Sequence, residues 1–421
     1  MGDTDALVKD ANEVKNALSS IDWSFYSGST GYANSGVRPF NVRRHHWYPA
    51  TFVPEIPFAL IEVLSSTGAR VYDPFSGIGT TYFQALLLNR VPLGTEICRV
   101  SVDYTRNLLT LFDPDYEINR VRRQIHSTIE GFSAATDYTN KVPDSILMDK
   151  LEPWFHPEVF NELSFLFFEE DRSEEPHQKA AMRIVISSIL MKLCAQNRGW
   201  GCVADNMLPT KDQIEESRTD GIRVFTDRLN QLLDDTQSHL KDKDGYYQKL
   251  YNKVAREPTI YHSDVRLCTS IPSNSVDLVI TSPPYPEMTD YVSSQRLPYY
   301  WHGYNVGLQG EESDMNREIG ARRKRGRKSS HSDYLQEMKE TNERIIERVK
   351  TGGYLAYLLP ILDDDKDERK NIVEDVLIDV EAHGEIHKVD DYNRVIHPTQ
   401  RAHNIKWTSL DEEKISLFQK V

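Results

Sequence analysis

Val276-Asp277-Leu278-Val279-Ile280-Thr281-Ser282-Pro283-Pro284-Tyr285 runs from an apolar segment straight into two prolines. The apolar run reads as a buried strand, and the prolines, which have no N–H to donate to a ladder, end it abruptly. The chain must turn outward at Ser282. A hydroxyl, a proline-locked carbonyl and an aromatic ring then stand together at the carboxyl end of a strand, where open α/β sheets bind ligands. Such a place suits a flat ring that carries an amino group.

Working outward, Ala69-Arg70-Val71-Tyr72-Asp73-Pro74-Phe75-Ser76-Gly77-Ile78-Gly79-Thr80-Thr81 reads as a short strand and a glycine-bearing turn, and Phe83, Leu86 and Leu87 give the following helix an apolar face. Glycines there let backbone approach a ligand closely at a helix N-terminus. Position 82 is Tyr, so the Gly-x-Gly-x-x-Gly pattern of nicotinamide enzymes is broken, and no Gly-Lys-Ser/Thr of a phosphate loop is present. Val91 to Ile97 forms a second strand whose acid, Glu96, lies 23 positions beyond Asp73. An acid about 20 residues past such a loop can bond a ribose diol. Thr259 to Asp264 is a third strand ending on an acid.

Taken together, Ser-Pro-Pro-Tyr and Asp-Pro-Phe-Ser-Gly-x-Gly-Thr-Thr resemble the motifs of the S-adenosylmethionine-dependent amino-methyltransferases of DNA, which act on cytosine N4 or adenine N6. The resemblance covers roughly residues 38–108 and 258–421. It implies an α/β fold, a seven-stranded Rossmann-like methyltransferase sheet with an inserted helical subdomain, and S-adenosylmethionine as cofactor. It also implies that Ser282, Pro283, Pro284 and Tyr285 are catalytic. Ser282 and the Pro283 carbonyl would accept the two protons of an amino group whose lone pair is delocalised into its ring, and Tyr285 would stack on the base extruded from the duplex. Asp73, Pro74, Phe75, Ser76, Gly77, Gly79, Thr80 and Thr81 match the cofactor loop, and Asp264 matches the acid that accepts from the cofactor's adenine. Tyr48 lies in the His45–Pro57 segment that covers the methionine end. Here the cofactor loop precedes the catalytic motif, unlike the common permuted order. Ser in the first motif position leans toward cytosine N4; adenine N6 and an RNA base stay as alternatives.

The 421 residues divide into an N-terminal helix and loop (1–37), the first part of the methyltransferase domain (38–108), a helical insertion (109–257) and the second part of that domain (258–421). The insertion and a basic loop (303–330) are both candidates for target recognition. Net charge is −14, which argues against indiscriminate coating of nucleic acid. Between positions 317 and 328, however, Arg317, Arg322, Arg323, Lys324, Arg325, Arg327 and Lys328 face the single acid Glu318, and these seven cations are the expected phosphate contacts. A second DNA contact is expected at Arg394–His403. Asp290 and Tyr291 are candidates for shaping the base pocket.

Other features read as structure. The aromatics Trp154, Phe155, Phe160, Phe165, Phe167 and Phe168 recur at helical spacing and read as core. The pair His45-His46 has no accompanying ligand cluster, Asp363–Glu368 lacks the spacing of a calcium loop, and no metal is expected. Gly352-Gly353 is expected to stop a helix that begins near Ser332. The four cysteines have no metal spacing, and 39% hydrophobic with 27% charged residues, no apolar run of membrane length and no leader pattern predict a soluble, cytoplasmic protein. Expected partners are duplex DNA with a flipped base and a separate restriction endonuclease or defence-system protein, with no membrane.

Overall fold

The computed structural model describes residues 11–25, 37–196, 207–241, 243–304, 306, 313–324, 327, 329–361, 369–396 and 411–421. Its strands are β1 (Arg70–Asp73), β2 (Val91–Glu96), β3 (Ile260–His262), β4 (Val276–Thr281), β5 (Val349–Ile361), β6 (Ile386–Val395) and β7 (Glu412–Lys420). They form one seven-stranded sheet in the order β3-β2-β1-β4-β5-β7-β6. The pairs from β3 across to β5 are parallel, and β7 pairs antiparallel with both β5 and β6. The order reverses between β1 and β4, so loops leaving those two strands diverge and leave a crevice. This is the α/β, Rossmann-like methyltransferase sheet expected from the sequence.

Helices α1 (Ala11–Ser19), α2 (Glu55–Leu64), α3 (Thr80–Leu87) and α4 (Arg99–Leu111) belong to the first part of the chain. Then come α5 (Ile118–Ile129), α6 (Met148–Leu151), α7 (Pro157–Arg172), α8 (Pro176–Leu193), α9 (Lys211–Glu216), α10 (Gly221–Leu240) and α11 (Gly245–Arg256), all between β2 and β3. After β4 follow α12 (Tyr291–Ser294), α13 (Arg296–Trp301), α14 (Ser330–Arg348) and, past β5, α15 (Arg369–Glu381). Side-chain caps set several starts: Glu175 accepts from Gln178 N, Asp220 from Arg223 N, and Asp244 from Tyr246 N and Tyr247 N. Each such cap stabilises its helix by about 1 kcal/mol.

Alternation along β5 explains the layers. Ala356 and Leu358 pack toward α1 and α2 with Leu60, Ile61 and Leu18, whereas Leu355, Tyr357 and Leu359 pack toward α14 and α15 with Ile345, Ile346 and Val380. β4 breaks the alternation: Val276 joins the α14 side and Leu278 the α2 side, because the β4–β5 register shifts between them. Gly352-Gly353 supplies that irregularity. The two glycines lie inside β5 rather than after α14, which ends at Arg348, and a Cβ on Gly353 would come within 2.8–3.0 Å of Val349, Lys350 and Asp277 atoms.

The helical insertion shares a core with the sheet domain. Phe83, Leu86 and Leu108 of α3 and α4 sit in one apolar cluster with Leu163, Ile186, Leu190, Phe225 and Leu229 of the insertion. The expected boundary at 108/109 falls inside α4, and the insertion leaves the sheet domain only after Leu111. Trp154, Phe155, Phe160, Phe165 and Phe167 are buried in this cluster, and Phe168 packs against it, as core residues. Among the described residues no helix is long and apolar enough to cross a membrane.

Candidate active site

Asp73 ends β1 and ties three elements together. Its Oδ1 accepts from Phe75 N (3.1 Å) and Thr281 Oγ1 (3.1 Å), and its Oδ2 accepts from Thr81 Oγ1 (2.8 Å). The glycine turn, the start of α3 and the end of β4 are thereby clamped to one buried carboxylate. Burial pushes that carboxyl up to about 6, against the three hydrogen bonds. The turn itself is left-handed at Gly77 (φ 52°) and Gly79 (φ 86°). A Cβ on Gly77 would lie 3.2 Å from the Tyr48 ring, and one on Gly79 would meet Thr105 and Phe83 at 3.1–3.2 Å. Glycine is required at both by conformation and by close approach.

Glu96 closes the same turn from β2. Its Oε2 accepts from Gly77 N and its Oε1 from Cys98 N, each at 2.8 Å. Burial raises this carboxyl to about 7, with backbone hydrogen bonds from Cys98, Gly77 and Ile97 opposing. Asp264, just past β3, is also buried; Arg266 binds it through Nε to Oδ1 (3.0 Å) and through Nη2 to Oδ2 (2.6 Å).

These groups surround one pocket enclosing about 780 Å³ of non-protein space, its open mouth included. Of the sequence-derived cofactor residues, Tyr48, Pro74, Phe75, Ser76, Gly77, Thr80, Glu96 and Asp264 line it, while Asp73, Gly79 and Thr81 lie behind its wall. Ser282 and Pro284 line the same pocket, so the end of β4 and the glycine turn face one space. Ser76 Oγ is buried without a hydrogen-bond partner among the described residues.

The Ser282–Tyr285 segment departs from expectation at its aromatic. Tyr285 is only 7% exposed and packs in the core beside Val279 and Leu359, with its hydroxyl 3.2 Å from Ser282 Oγ. Its ring offers no open face to the pocket. Tyr291 lines the pocket instead, stacked on Tyr48 at 6.0 Å between centroids. The Pro284 carbonyl accepts from Tyr334 Oη (3.1 Å).

The basic segment is divided. Arg317 lines the pocket and is its lone cation among the described residues. Arg323 pairs with the buried Glu318 and lies 3.5 Å from Asp290, and Lys324 lies 3.2 Å from Glu337. Glu318 also accepts from Val292 N (2.6 Å), and burial raises its carboxyl to about 7 with Arg323 opposing. Arg323 and Lys324 are thus held by internal carboxylates, whereas Arg322 and Arg327 are exposed. Arg325 and Lys328 lie outside the described residues. Arg394, expected in a DNA-contacting loop, is a buried residue of β6 paired with Glu413 at 3.3 Å; positions 397–403 of that loop lie outside the described residues.

Sequence reading missed Glu318 and Ile319 as pocket residues, and its sole signal was an unexplained acid inside a basic run. His45 stands 3.1 Å from Asp235, and His46 Nε2 is 2.8 Å from Gln295 Oε1, with burial lowering His46 to about 4. The described residues hold no group of three or more potential metal ligands.

No family model matches the chain. Two curated relatives do. Type II methyltransferase M.BsoBI of Geobacillus stearothermophilus is 24% identical over 333 residues, covering 74% of this chain and 63% of the relative. Type II methyltransferase M.MvaI of Kocuria varians is 23% identical over 282 residues, covering 64% and 59% respectively. The chain is thus similar to two Type II methyltransferases and spans about three fifths of the length of each.

Proposed function

We propose that this chain is an S-adenosylmethionine-dependent DNA methyltransferase acting on an exocyclic amino group, with cytosine N4 as its target. The observation that carries this reading is that Ser282, at the end of β4, faces the same pocket as the glycine turn, Glu96 and Asp264. The names of the two relatives support methyl transfer, and the Ser of the first motif position supports cytosine over adenine.

The residues fit the cofactor. Gly77 leaves a cradle that a Cβ would fill, the Glu96 carboxylate lies on the pocket as an acceptor for a ribose hydroxyl, and Tyr48 and Phe75 give the pocket aromatic walls. Asp264, held in place by Arg266, accepts from an adenine amino group. When bound there, S-adenosylmethionine supplies an electrophilic methyl carbon that is transferred to the amino nitrogen as the carbon–sulfur bond breaks.

Ser282 accepts a hydrogen bond from one amino hydrogen, and the carbonyl of Pro283, to which no described group donates, accepts from the other; once the nitrogen carries the methyl group it loses one of these protons to solvent. Two acceptors draw the nitrogen toward a tetrahedral geometry and localise its lone pair. Holding that nitrogen in line with the methyl carbon supplies much of the rate. Tyr291, not Tyr285, is the aromatic placed to contact the base in this conformation. The exposed Arg322 and Arg327, with Arg325 and Lys328, are assigned to DNA phosphates; a restriction endonuclease or defence-system protein encoded separately would be the partner.

The test is incubation with methyl-labelled S-adenosylmethionine and mixed-sequence duplex DNA, followed by digestion to nucleosides and mass spectrometry. N4-methyldeoxycytidine is expected. Label in N6-methyldeoxyadenosine would overturn the choice of base, and label confined to RNA would overturn DNA as substrate.

A further inference from the structure

α12 is four residues long, too short to hold itself, and it carries Tyr291 as its first residue. Its N-cap is Asp290, an acid of the kind that accepts from the second or third backbone N–H of the helix it starts. Asp290 makes no such bond. Its Oδ1 accepts instead from Arg323 N at 3.0 Å and lies 3.5 Å from the Arg323 guanidinium. The capping falls to Glu318, whose Oε1 accepts from Val292 N at 2.6 Å across 26 positions of sequence. Each side thus lends its acid to the other: the carboxylate of the turn holds the segment 313–324, and the carboxylate of that segment holds the helix.

Backbone bonds run alongside this exchange, Glu287 N to Gly320 O at 2.8 Å and Arg322 N to Thr289 O at 3.3 Å. Gly320 is left-handed (φ 63°), and a Cβ there would come within 3.0 Å of the Tyr334 ring. Nearer its start the segment is fixed by Asp314, which accepts from Tyr299 Oη at 2.8 Å and stands 2.9 Å from Nε2 of His262 at the end of β3. The second Glu318 oxygen is taken by Arg323, so both oxygens are engaged within the chain. We propose that Glu318 is a positioning residue for Tyr291, fixing the backbone on which the ring stands and hence the face it presents to the extruded base. The inference rests on the reading of Tyr291 given above and deepens it.

Tyr291 stands on the pocket wall, half-buried, its ring stacked on Tyr48 with the planes 28° apart. The residues to either side of it are both held by the exchange, Asp290 through its carboxylate and Val292 through its N–H. Stacking needs that support, because dispersion falls away steeply once a gap of about 0.5–1 Å opens between ring and base. Tyr285, covered in the core, has no open face to take its place. An acid inside a basic run is thereby accounted for: Glu318 is turned away from solvent, 1% exposed, and serves the ring rather than the charge of its neighbours.

Two substitutions separate what the two oxygens do. Glu318→Gln keeps an oxygen for Val292 N and removes the charge that faces Arg323. Glu318→Asp keeps that charge and, being one methylene shorter, withdraws the acceptor from Val292 N. Single-turnover methylation of mixed-sequence duplex DNA with saturating labelled cofactor is measured for both, for Tyr291→Ala and for each combined with Tyr291→Ala. Melting temperature, and the dissociation constant of S-adenosylhomocysteine by calorimetry, are measured alongside. Glu318→Asp is expected to lower the rate about tenfold, the scale of one lost buried hydrogen bond. Glu318→Gln is expected to melt lower, its arginine unpaired, yet to keep at least about a third of the rate. With Tyr291→Ala in place, Glu318→Asp should slow the reaction by less than about a further twofold, because the two act as one unit. Product affinity should change less than about twofold in both Glu318 variants, since the groups assigned to the cofactor lie on other elements. A Gln variant slower than the Asp variant, rates that simply follow melting temperature, losses that multiply with Tyr291→Ala, or a normal rate for Tyr291→Ala would overturn the inference while leaving methyl transfer intact. An unsubstituted chain that transfers no methyl group to DNA would instead bring down the reading beneath it.

Discussion

Glu96 carries a charge that burial disfavours and the expected ligand favours. Its carboxyl is raised from 4.5 to about 7 in the folded chain. The folded state thus holds this proton more tightly than the unfolded state. The stability linked to Glu96 is fully present below about 4.5 and is lost as pH rises through about 7. Ribose hydroxyl donors and a sulfonium charge both favour the ionised form, so cofactor binding should release a proton below about 7 and tighten with rising pH, approaching tenfold per pH unit. Calorimetry in two buffers of different ionisation enthalpy checks the release, and Glu96→Gln should flatten the pH dependence. A dependence unchanged in that variant would assign the proton elsewhere, Asp73 being the neighbouring carboxyl raised to about 6. Glu96 was legible in the sequence because its distance from the glycine turn is set by one strand and one helix. Glu318, equally buried and on the same pocket, was not, because its partner Arg323 is a neighbour in a run that reads as solvent-facing charge.

Elements were legible where local chemistry decides them. The prolines after Ser282 end β4, and the turn at Gly77 and Gly79 separates β1 from α3. Two left-handed glycines distinguish conformation from close approach. Gly352→Ala, at φ 82° with nothing within 4 Å of a new Cβ, should cost only the left-handed strain, about 1–2 kcal/mol. Gly79→Ala, at φ 86° with Thr105 and Phe83 at 3.1–3.2 Å, should cost more than that and lower the melting temperature further. Urea denaturation of the two variants measures the difference; equal losses would show that α4 yields without cost. The pair Gly352-Gly353 misled the reading of helix α14 because glycine marks both a helix stop and a strand irregularity, and only the β4–β5 register tells them apart.

Across the whole molecule, the basic segment serves two ends that composition alone merges. Arg323→Ala leaves Glu318, 1% exposed, without its cation and should cost on the order of 3 kcal/mol at pH 8, read as a lower melting temperature. Arg327→Ala, at an exposed position, should leave stability unchanged and reduce the slope of log affinity for DNA against log salt by about 1. Reversal of the two phenotypes would return Arg323 to the DNA and remove it from the fold. The helical insertion is likewise bound to the whole: its aromatics were recognised as core, but their sharing of one cluster with Phe83, Leu86 and Leu108 depends on how α8 and α10 dock against α3 and α4.

The sequence by itself determined the strands in chain order, the glycine turn, the acids at strand ends and the abrupt end of β4 before Ser282, because prolines, glycines and apolar periodicity act over a few residues. Only the tertiary structure decided which charges are internal and which way hydrogen bonds run. Thr281 and Asp73 are far apart along the chain, and the pairing of β1 with β4 brings the Thr281 hydroxyl to the Asp73 carboxylate. Charge pairing and hydrogen-bond direction depend on burial and on distances across strands, and no local pattern encodes either.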